Sequence, residues 1–347
     1  MAKRLLLNFK KDWTIGFRNF YLAITIATAV LFYLFLTFLI PEDYSPVNLY
    51  LYTDPLYREA LQNGEESEFE VMEMDSPEAV YESMKKDVNG YGFIVQQGET
   101  APDITIVSQG GEESETANLL KLSLGTAFTE YLMTGQEYAI DYDVVTLHPG
   151  MEKVSYQDNF LPIFIVMESS FIGFFLISVM LFMEKDQRMH TAYLVSPGGL
   201  TEHLLSKVLV MLLLGYVSAF GITLAVRGFD ANFYRLWLTV TVSSFLSSSL
   251  GLLMGAIFNS LQKAMFLLLS FVFLLMMPVL SFAFPVFTPG WIKFLPTYPM
   301  LQAARSAVIP AFGAAGFYKN IAVIAGEGTI LFIMSRLLYS RSLRATS

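Results

Sequence analysis

The sequence predicts a polytopic α-helical membrane protein with six transmembrane helices and a small mixed α/β extracytoplasmic domain inserted between the first and second spans. Of the 347 residues 54% are apolar and only 15% are charged, which is too apolar for an ordinary soluble domain. Charge is divided unevenly, since residues 41–160 hold 24 of the 31 acidic residues but only 5 of the 22 basic ones. The chain therefore combines a polar, acidic segment with an apolar, basic remainder.

The N-terminal residues 1–19 predict an amphipathic interfacial helix, because apolar residues at helical spacing lie opposite the basic residues Lys3, Arg4, Lys10, Lys11 and Arg18. Residues 20–40 carry no charge, and as a helix they would reach about 31 Å, enough to cross the hydrocarbon. A secretory signal would have a shorter core that ends in small residues at a cleavage site, whereas Phe38, Leu39 and Ile40 end this stretch. We therefore expect a retained first transmembrane helix.

Five further apolar stretches predict the remaining spans, within a transmembrane region over residues 159–347: 160–183, 208–226, 236–258, 264–284 and 321–338. Six crossings return the chain to its starting side. Most basic residues outside the spans then share one face, so the positive-inside rule predicts cytoplasmic N- and C-termini in the plasma membrane of a prokaryotic-type cell. Arg227 and Arg235 fall on the opposite face and count against this orientation.

The acidic segment, residues 41–158, predicts a separate extracytoplasmic α/β domain. Alternating apolar residues indicate strands at 47–52, 69–74, 91–96, 103–108 and 138–147. A helix over 76–88 is indicated by a capping serine followed by Pro77, and a second helix is expected over 112–134.

Several kinds of chemistry are excluded by missing residues or motifs. The chain has no cysteine, hence no disulfide and no thiolate nucleophile, and its three histidines match no metal-ligand spacing. Neither a phosphate-binding G-x-x-x-x-G-K-[ST] loop nor a hydrolase motif occurs. We therefore expect no catalytic residue, no metal site and no cofactor in this chain, and any ATP must be hydrolysed by another polypeptide.

The strongest local signal is the segment 184–207, between the second and third predicted spans. Charged residues stand at both ends of it, apolar residues lie between them, and Pro197, Gly198 and Gly199 interrupt it. This pattern predicts a short amphipathic helix against the membrane that could dock a soluble partner. A plain connector between two spans is the alternative.

An ordered set of residue types runs through this segment: Glu184, Lys185, Leu194, Val195, Ser196, Pro197, Glu202 and Lys207. It resembles the coupling region of type-2 ABC exporter permeases, in which an acidic-basic pair ends one span and Leu-Leu-x-[Ser/Thr]-Pro, an acid and a lysine follow. Residues 188–191, Arg-Met-His-Thr, depart from the Gly-Thr-Leu-Glu that is usual there. The basic N-terminal helix, the external domain and residues 289–300 extend the resemblance over nearly the whole chain.

The resemblance implies a permease subunit rather than an enzyme. It implies pairing with a second permease copy, as a homodimer or heterodimer, and with separate ABC ATPase subunits that would hold ATP and magnesium. The complex would export a substrate across the cell membrane, and no nucleic acid would be a partner. The alternative is a non-transporting receptor or envelope-assembly protein whose external domain is the binding module.

Two carboxylates lie inside predicted spans, Glu168 and Glu327. An unpaired charge in a bilayer costs about 2.5 kcal/mol or more, so each must face protein or water, be paired or be protonated. We expect them to be candidate pathway residues for a cationic or amphiphilic substrate. The alternative is structural hydrogen bonding to neighbours such as Ser169 and Ser170.

Small residues recur every four positions in the fourth predicted span, and their common face predicts close helix packing: Ser243, Ser247, Gly251 and Gly255. Pro278 should kink the fifth span, and a structural kink is as good an explanation as a gating hinge. Residues 285–320 are too long for a turn and too mixed for a span, so we expect short helices that dip into the outer leaflet as an extracytoplasmic re-entrant segment.

Overall fold

The computed structural model describes residues 2–40, 48–55, 71–85, 87, 90–97, 103–108, 142–147, 155–186, 199–258, 260–283, 289–309 and 314–346. The chain divides into two compact units. The larger unit contains Met1–Glu42 and Gln157–Ser347, and the smaller unit contains Asp43–Tyr156. The expected helix over 112–134 lies outside the described residues.

The described elements are, in chain order, α1 (Ala2–Arg18), α2 (Tyr21–Leu39), β1 (Leu49–Thr53), β2 (Val71–Glu73), α3 (Pro77–Met84), β3 (Tyr91–Gln96), β4 (Asp103–Ser108), β5 (Tyr142–Thr146), α4 (Tyr156–Val166), a π-helical segment (Met167–Ile172), α5 (Gly173–Asp186), α6 (Leu200–Arg227), α7 (Phe233–Ile257), α8 (Leu261–Ala283), a 3-10 helix (Gly290–Phe294), α9 (Thr297–Val308) and α10 (Ala314–Thr346). Within the described ranges, six helices are long and apolar enough to cross a membrane. They are α2, the continuous run from α4 through α5, and α6, α7, α8 and α10.

A tight turn joins α1 to α2. Phe20 has a left-handed backbone conformation, with φ of 62°, and the amide of Phe20 donates to the carbonyl of Phe17. Gly16 lies so close to Tyr21 that an added Cβ would stand 3.3 Å from the tyrosine ring. The end of α1 is thus packed directly on the first turn of α2.

The second span contains a π-helical segment, Met167–Ile172, between α4 and α5. π-Helical turns leave backbone groups out of the regular α-helical hydrogen-bond ladder. Here the carbonyl of Ser169 accepts hydrogen bonds from the hydroxyls of Ser244 and Ser247 on α7, at 3.1 and 3.4 Å. The irregular turn is therefore held against the fourth span by side chains.

Two arginines of the larger unit, Arg227 and Arg235, join neighbouring helices. Arg227, in the last turn of α6, pairs with Asp158 in the first turn of α4, with Nη1 and Oδ2 2.5 Å apart. Arg235 of α7 donates from Nη1 to the carbonyl of Ser306 on α9 at 3.0 Å. The described part of segment 285–320 consists of the 3-10 helix, α9 and the start of α10.

In the smaller unit the described strands form one five-stranded sheet with the order β2-β1-β3-β4-β5. Only the β3–β4 pair is antiparallel. Helix α3 covers one face, where Val80 and Met84 pack on Tyr50 and Ile94. Ser76 caps this helix by accepting a hydrogen bond from the Ala79 amide.

Candidate functional site

A cluster of charged side chains lies where α1, the end of α5 and the start of α6 meet. We call Asp12, Glu184, His203, Ser206 and Lys207 the charged cluster. The Lys207 Nζ lies 2.7 Å from Glu184 Oε1 and 3.4 Å from Asp12 Oδ1. The side chains of Lys207 and Asp12 are both 0% exposed, so this lysine stands between two carboxylates with no access to solvent.

The remaining contacts close the cluster. The Ser206 hydroxyl donates to Asp12 Oδ2, and His203 Nε2 lies 3.4 Å from Glu184 Oε2. Lys11, whose side chain is 34% exposed, places Nζ 3.2 Å from Asp12 Oδ1 and 3.5 Å from Glu184 Oε1. Two lysines therefore balance two carboxylates.

Helix geometry explains why these side chains meet. His203, Ser206 and Lys207 are three and four residues apart on α6 and so share one face of the helix. Asp12 follows Phe9 by three residues and precedes Gly16 by four, which places this carboxylate on the apolar face of α1. The charges are thus held by the same faces that pack the helices together.

Lys185 contacts a different set of helices from Glu184. Its Nζ donates to the carbonyl of Phe258 at 2.5 Å, at the C-terminal cap of α7, where the helix dipole favours a cation. The same Nζ lies 6.0 Å from the ring centre of Phe182 and 5.8 Å from that of Tyr339 on α10. Consecutive residues at the end of α5 therefore hold different helices: Glu184 contacts α1 and α6, whereas Lys185 contacts α7 and α10.

Glu168 lies in the π-helical segment and is 2% exposed. The hydroxyls of Thr28 on α2 and Ser218 on α6 interact with its carboxylate, yet neither carboxylate oxygen has a hydrogen bond of normal geometry within the described part of the chain. The Ser169 hydroxyl donates to the Ile165 carbonyl at 2.8 Å, and the Ser170 hydroxyl faces the sulfur of Met300 at 3.2 Å. The two neighbouring serines therefore do not serve as partners of this glutamate.

Glu327 is half-buried on α10, and its Oε2 is buried without a hydrogen-bond partner among the residues described. The next residue, Gly328, lies against α7, where an added Cβ would stand 2.9 Å from the Phe245 ring. Glu168 is almost fully enclosed by other helices, whereas Glu327 is only half-buried, so the two carboxylates differ in burial.

Three of the four small residues of α7, Ser247, Gly251 and Gly255, lie where this helix meets α5. Ser243, Ser247, Gly251 and Gly255 are all buried. An added Cβ on Gly251 would lie 3.0 Å from the Phe174 carbonyl oxygen, and one on Gly255 would lie 2.7 Å from the Leu181 side chain. Small side chains at these positions allow the two helices to approach closely.

A family model described as ABC-2 family transporter protein matches residues 17–337. The chain belongs to the ABC-2 transporter family. The family and the six apolar helices together make it a multi-pass membrane protein and imply an ABC transporter permease. Members of this family are typically non-enzymatic transmembrane subunits, and the family implies an ABC ATPase as partner. No curated protein and no solved structure matched the chain.

The expected coupling residues of this ABC-2 permease fall into two groups. Leu194, Val195, Ser196 and Pro197 lie outside the described residues. Glu184 and Lys185 end α5, while Glu202, which is partly exposed, and Lys207 lie in the first turns of α6. The third span was expected to begin at Val208, but its helix begins at Leu200, because a helix continues past the apolar stretch that hydropathy detects.

Sequence reasoning missed Asp12, His203 and Ser206 of the permease, since His203 was considered only as a metal ligand. Asp12 is the only acidic residue of α1, and it stands on the apolar face of that helix. A lone charge among apolar residues is a usable signal, since such a charge needs a partner when the face is buried. Ser206 carried no comparable signal.

Proposed function

We propose that this ABC-2 permease is the membrane-spanning half of an ATP-driven exporter. It pairs with a second permease copy, as a homodimer or heterodimer, and a separate ATPase subunit binds at segment 184–207. Both termini face the cytoplasm of a prokaryotic-type cell, and residues 41–158 form the extracytoplasmic α/β domain. The observation that carries the proposal is the fastening of Glu184 and Lys185 to helices on both sides of α5.

These contacts of Glu184 and Lys185 would couple motion of the ATPase to motion of the transmembrane helices. Glu184 and Lys207 hold the end of α5 to the start of α6, so a partner that moves the intervening residues moves both helices. Lys185 passes the same displacement to α7 through the Phe258 carbonyl and to α10 through the Tyr339 ring. Motion of packed helices between discrete arrangements is a common way for a nucleotide-driven change to reach a distant site. In this mechanism Leu194, Val195, Ser196, Pro197 and Glu202 form the surface that contacts the ATPase.

The substrate path is proposed to involve Glu168 and Glu327. An intramembrane carboxylate is a functional candidate by default because an unpaired one is costly. Glu168→Gln keeps the size of the side chain but removes its charge. We expect this variant to assemble normally and to lose stimulation of ATP hydrolysis by cationic amphiphiles; a variant that responds as the wild type does would remove Glu168 from the path.

The exporter proposal is tested by binding of the ATPase. Glu202→Lys reverses a charge in the first turn of α6 and should reduce the ATPase recovered with the permease. Glu78→Lys is the matched control, since Glu78 is an exposed acid in the first turn of α3 and should have no effect. Equal recovery from both variants would contradict docking at this segment.

A second experiment tests on which side of the membrane segment 184–207 lies. The chain has no cysteine, so a single cysteine at position 202 can be labelled without background. We expect an impermeant thiol reagent to reach it from the cytoplasm only. Labelling only from outside would favour the receptor or envelope-assembly alternative, in which the permease binds no cytoplasmic ATPase.

A further inference from the structure

The N-terminal helix α1 carries one acidic residue, Asp12, among five basic ones, and this acid is fully buried. Glu184 alone would neutralise Lys207, at 2.7 Å, so the lysine does not require a second carboxylate. Asp12 nevertheless reaches the same lysine at 3.4 Å and accepts a hydrogen bond from Ser206. Its contribution is therefore to α1, whose position against α6 it defines.

A buried charge defines position more sharply than an apolar contact does. Apolar faces tolerate sliding and rotation, whereas an Asp12 carboxylate that moved away from α6 would lose Lys207 and the Ser206 hydroxyl and keep only the partly exposed Lys11 of its own helix. Phe9, Trp13 and Ile15 supply the apolar contact of α1 with the membrane unit. Asp12 adds the charge contact with Lys207, which depends on the position of α1 against α6.

The α1–α2 turn extends this connection to the first span. Gly16 packs on Tyr21, and the Tyr21 hydroxyl faces the sulfur of Met183 at 3.9 Å, one residue before Glu184. A displacement of α1 therefore reaches the first turn of α2 directly. The family match begins at residue 17, so Asp12 lies outside the part of the chain that the family model matches.

We propose that Asp12 is a positioning residue that fastens α1 to Lys207, so that α1 and the start of α6 move as one body and carry the ATP-driven displacement to the first span. This inference rests on the exporter function proposed above. It assigns α1 a mechanical role in coupling, in addition to its place at the membrane surface. The Asp12 carboxylate, rather than the basic residues of α1, is the group that matters.

The test measures nucleotide-driven distances in the full complex of permease and ATPase. Two spin-label pairs share a reference at exposed Phe273 on α8, a helix that the proposed coupling contacts do not include, one with Thr14 on α1 and one with Leu209 on α6, and the labelled chain is diluted with unlabelled chain. The wild-type protein should show a shift in both distances when ATP and vanadate trap the ATPase. Asp12→Asn should keep the Leu209 shift and lose the Thr14 shift.

Two further variants make the result specific. Lys10→Gln removes an exposed charge from α1 and should keep both shifts, as should the conservative Asp12→Glu. Asp12→Asn keeps an acceptor for the Ser206 hydroxyl but has no charge, so loss of the Thr14 shift in Asp12→Asn and its retention in Asp12→Glu assign the effect to the carboxylate.

The outcomes separate the two proposals. A Thr14 shift that survives in Asp12→Asn overturns the role of Asp12 while leaving the exporter function intact. Loss of both shifts in Asp12→Asn, or loss of the Thr14 shift in Asp12→Glu, shows a structural role only and also overturns it. A wild-type complex in which neither distance shifts, or in which no ATPase binds, overturns the exporter proposal and this inference with it.

Discussion

Replacing the buried lysine of the charged cluster should strongly destabilise the membrane unit. At an effective dielectric constant of about 20, Lys207 attracts Glu184 by about 6 kcal/mol at 2.7 Å and Asp12 by about 5 kcal/mol at 3.4 Å. Desolvation of the lysine offsets much of this attraction. Lys207→Met removes the attraction and leaves two buried carboxylates beside Lys11 and His203, so we expect a net loss of about 3–5 kcal/mol.

The matched control is Lys85→Met. Lys85 Nζ lies 2.8 Å from Glu82 Oε1, nearly the same distance as in the buried pair, but the two side chains are 59% and 64% exposed. An exposed pair is worth about 0–1 kcal/mol, so this variant should unfold as the wild type does. Equilibrium unfolding of the full chain in mixed detergent micelles measures both.

A third variant checks the physical cause. Adding Asp12→Asn and Glu184→Gln to Lys207→Met removes the charges that the single substitution leaves unpaired, and buried ion groups replaced together often cost little. Most of the lost stability should return. If Lys207→Met unfolds at the wild-type detergent fraction, or if the triple variant is less stable than the single one, the reasoning from buried charge is wrong.

Three other substitutions test helix packing in the larger unit and a buried hydrogen bond in the smaller unit. Gly251→Ala places a Cβ 3.0 Å from a backbone carbonyl oxygen of α5 and should cost about 1–3 kcal/mol in the same unfolding assay, whereas Gly326→Ala, with no atom within 4 Å, should be neutral or stabilising by up to about 1 kcal/mol. Tyr50→Phe removes a 3.0 Å hydrogen bond to Asp87 and should cost about 0.5–1.5 kcal/mol. Burial raises the pKa of Tyr50 above its usual range, so the protonated tyrosine contributes fully to the stability of the smaller unit below about pH 10. This contribution is lost as the pH rises further. The rate of proteolysis of the smaller unit should therefore increase less at alkaline pH in Tyr50→Phe than in the wild type.

The sequence predicted the number and order of the spans well, because a bilayer demands about 20 apolar residues for each crossing. The helix ends were less predictable. The third span begins at Leu200 rather than Val208, and the last helix runs over Ala314–Thr346 rather than 321–338. Polar residues such as Glu202 and Lys207 fit a helix outside the hydrocarbon as well as a loop, so hydropathy does not distinguish the two.

The charged cluster could be predicted only in part. Glu184 and Lys207 were selected by resemblance, but their partner Asp12 lies 195 residues from Lys207 in the chain. Pairing over such a distance depends on how α1 packs on α6, and the amphipathic pattern of α1 does not specify its partner helix. The π-helical segment at Met167–Ile172 was not predicted either, because its residues fit an α-helix equally well.

The order of the acidic and basic residues at the end of α5 should matter more than their net charge. Adjacent residues on a helix point about 100° apart, so Glu184 and Lys185 face different neighbours. The double variant Glu184→Lys with Lys185→Glu keeps the composition and net charge of the chain. It turns a lysine toward Lys207, and it turns a carboxylate toward the Phe258 carbonyl, where both groups are hydrogen-bond acceptors and neither can donate. We expect this double variant to lose both stability and ATPase stimulation, whereas normal behaviour in both assays would mean that the two side chains do not hold separate helices.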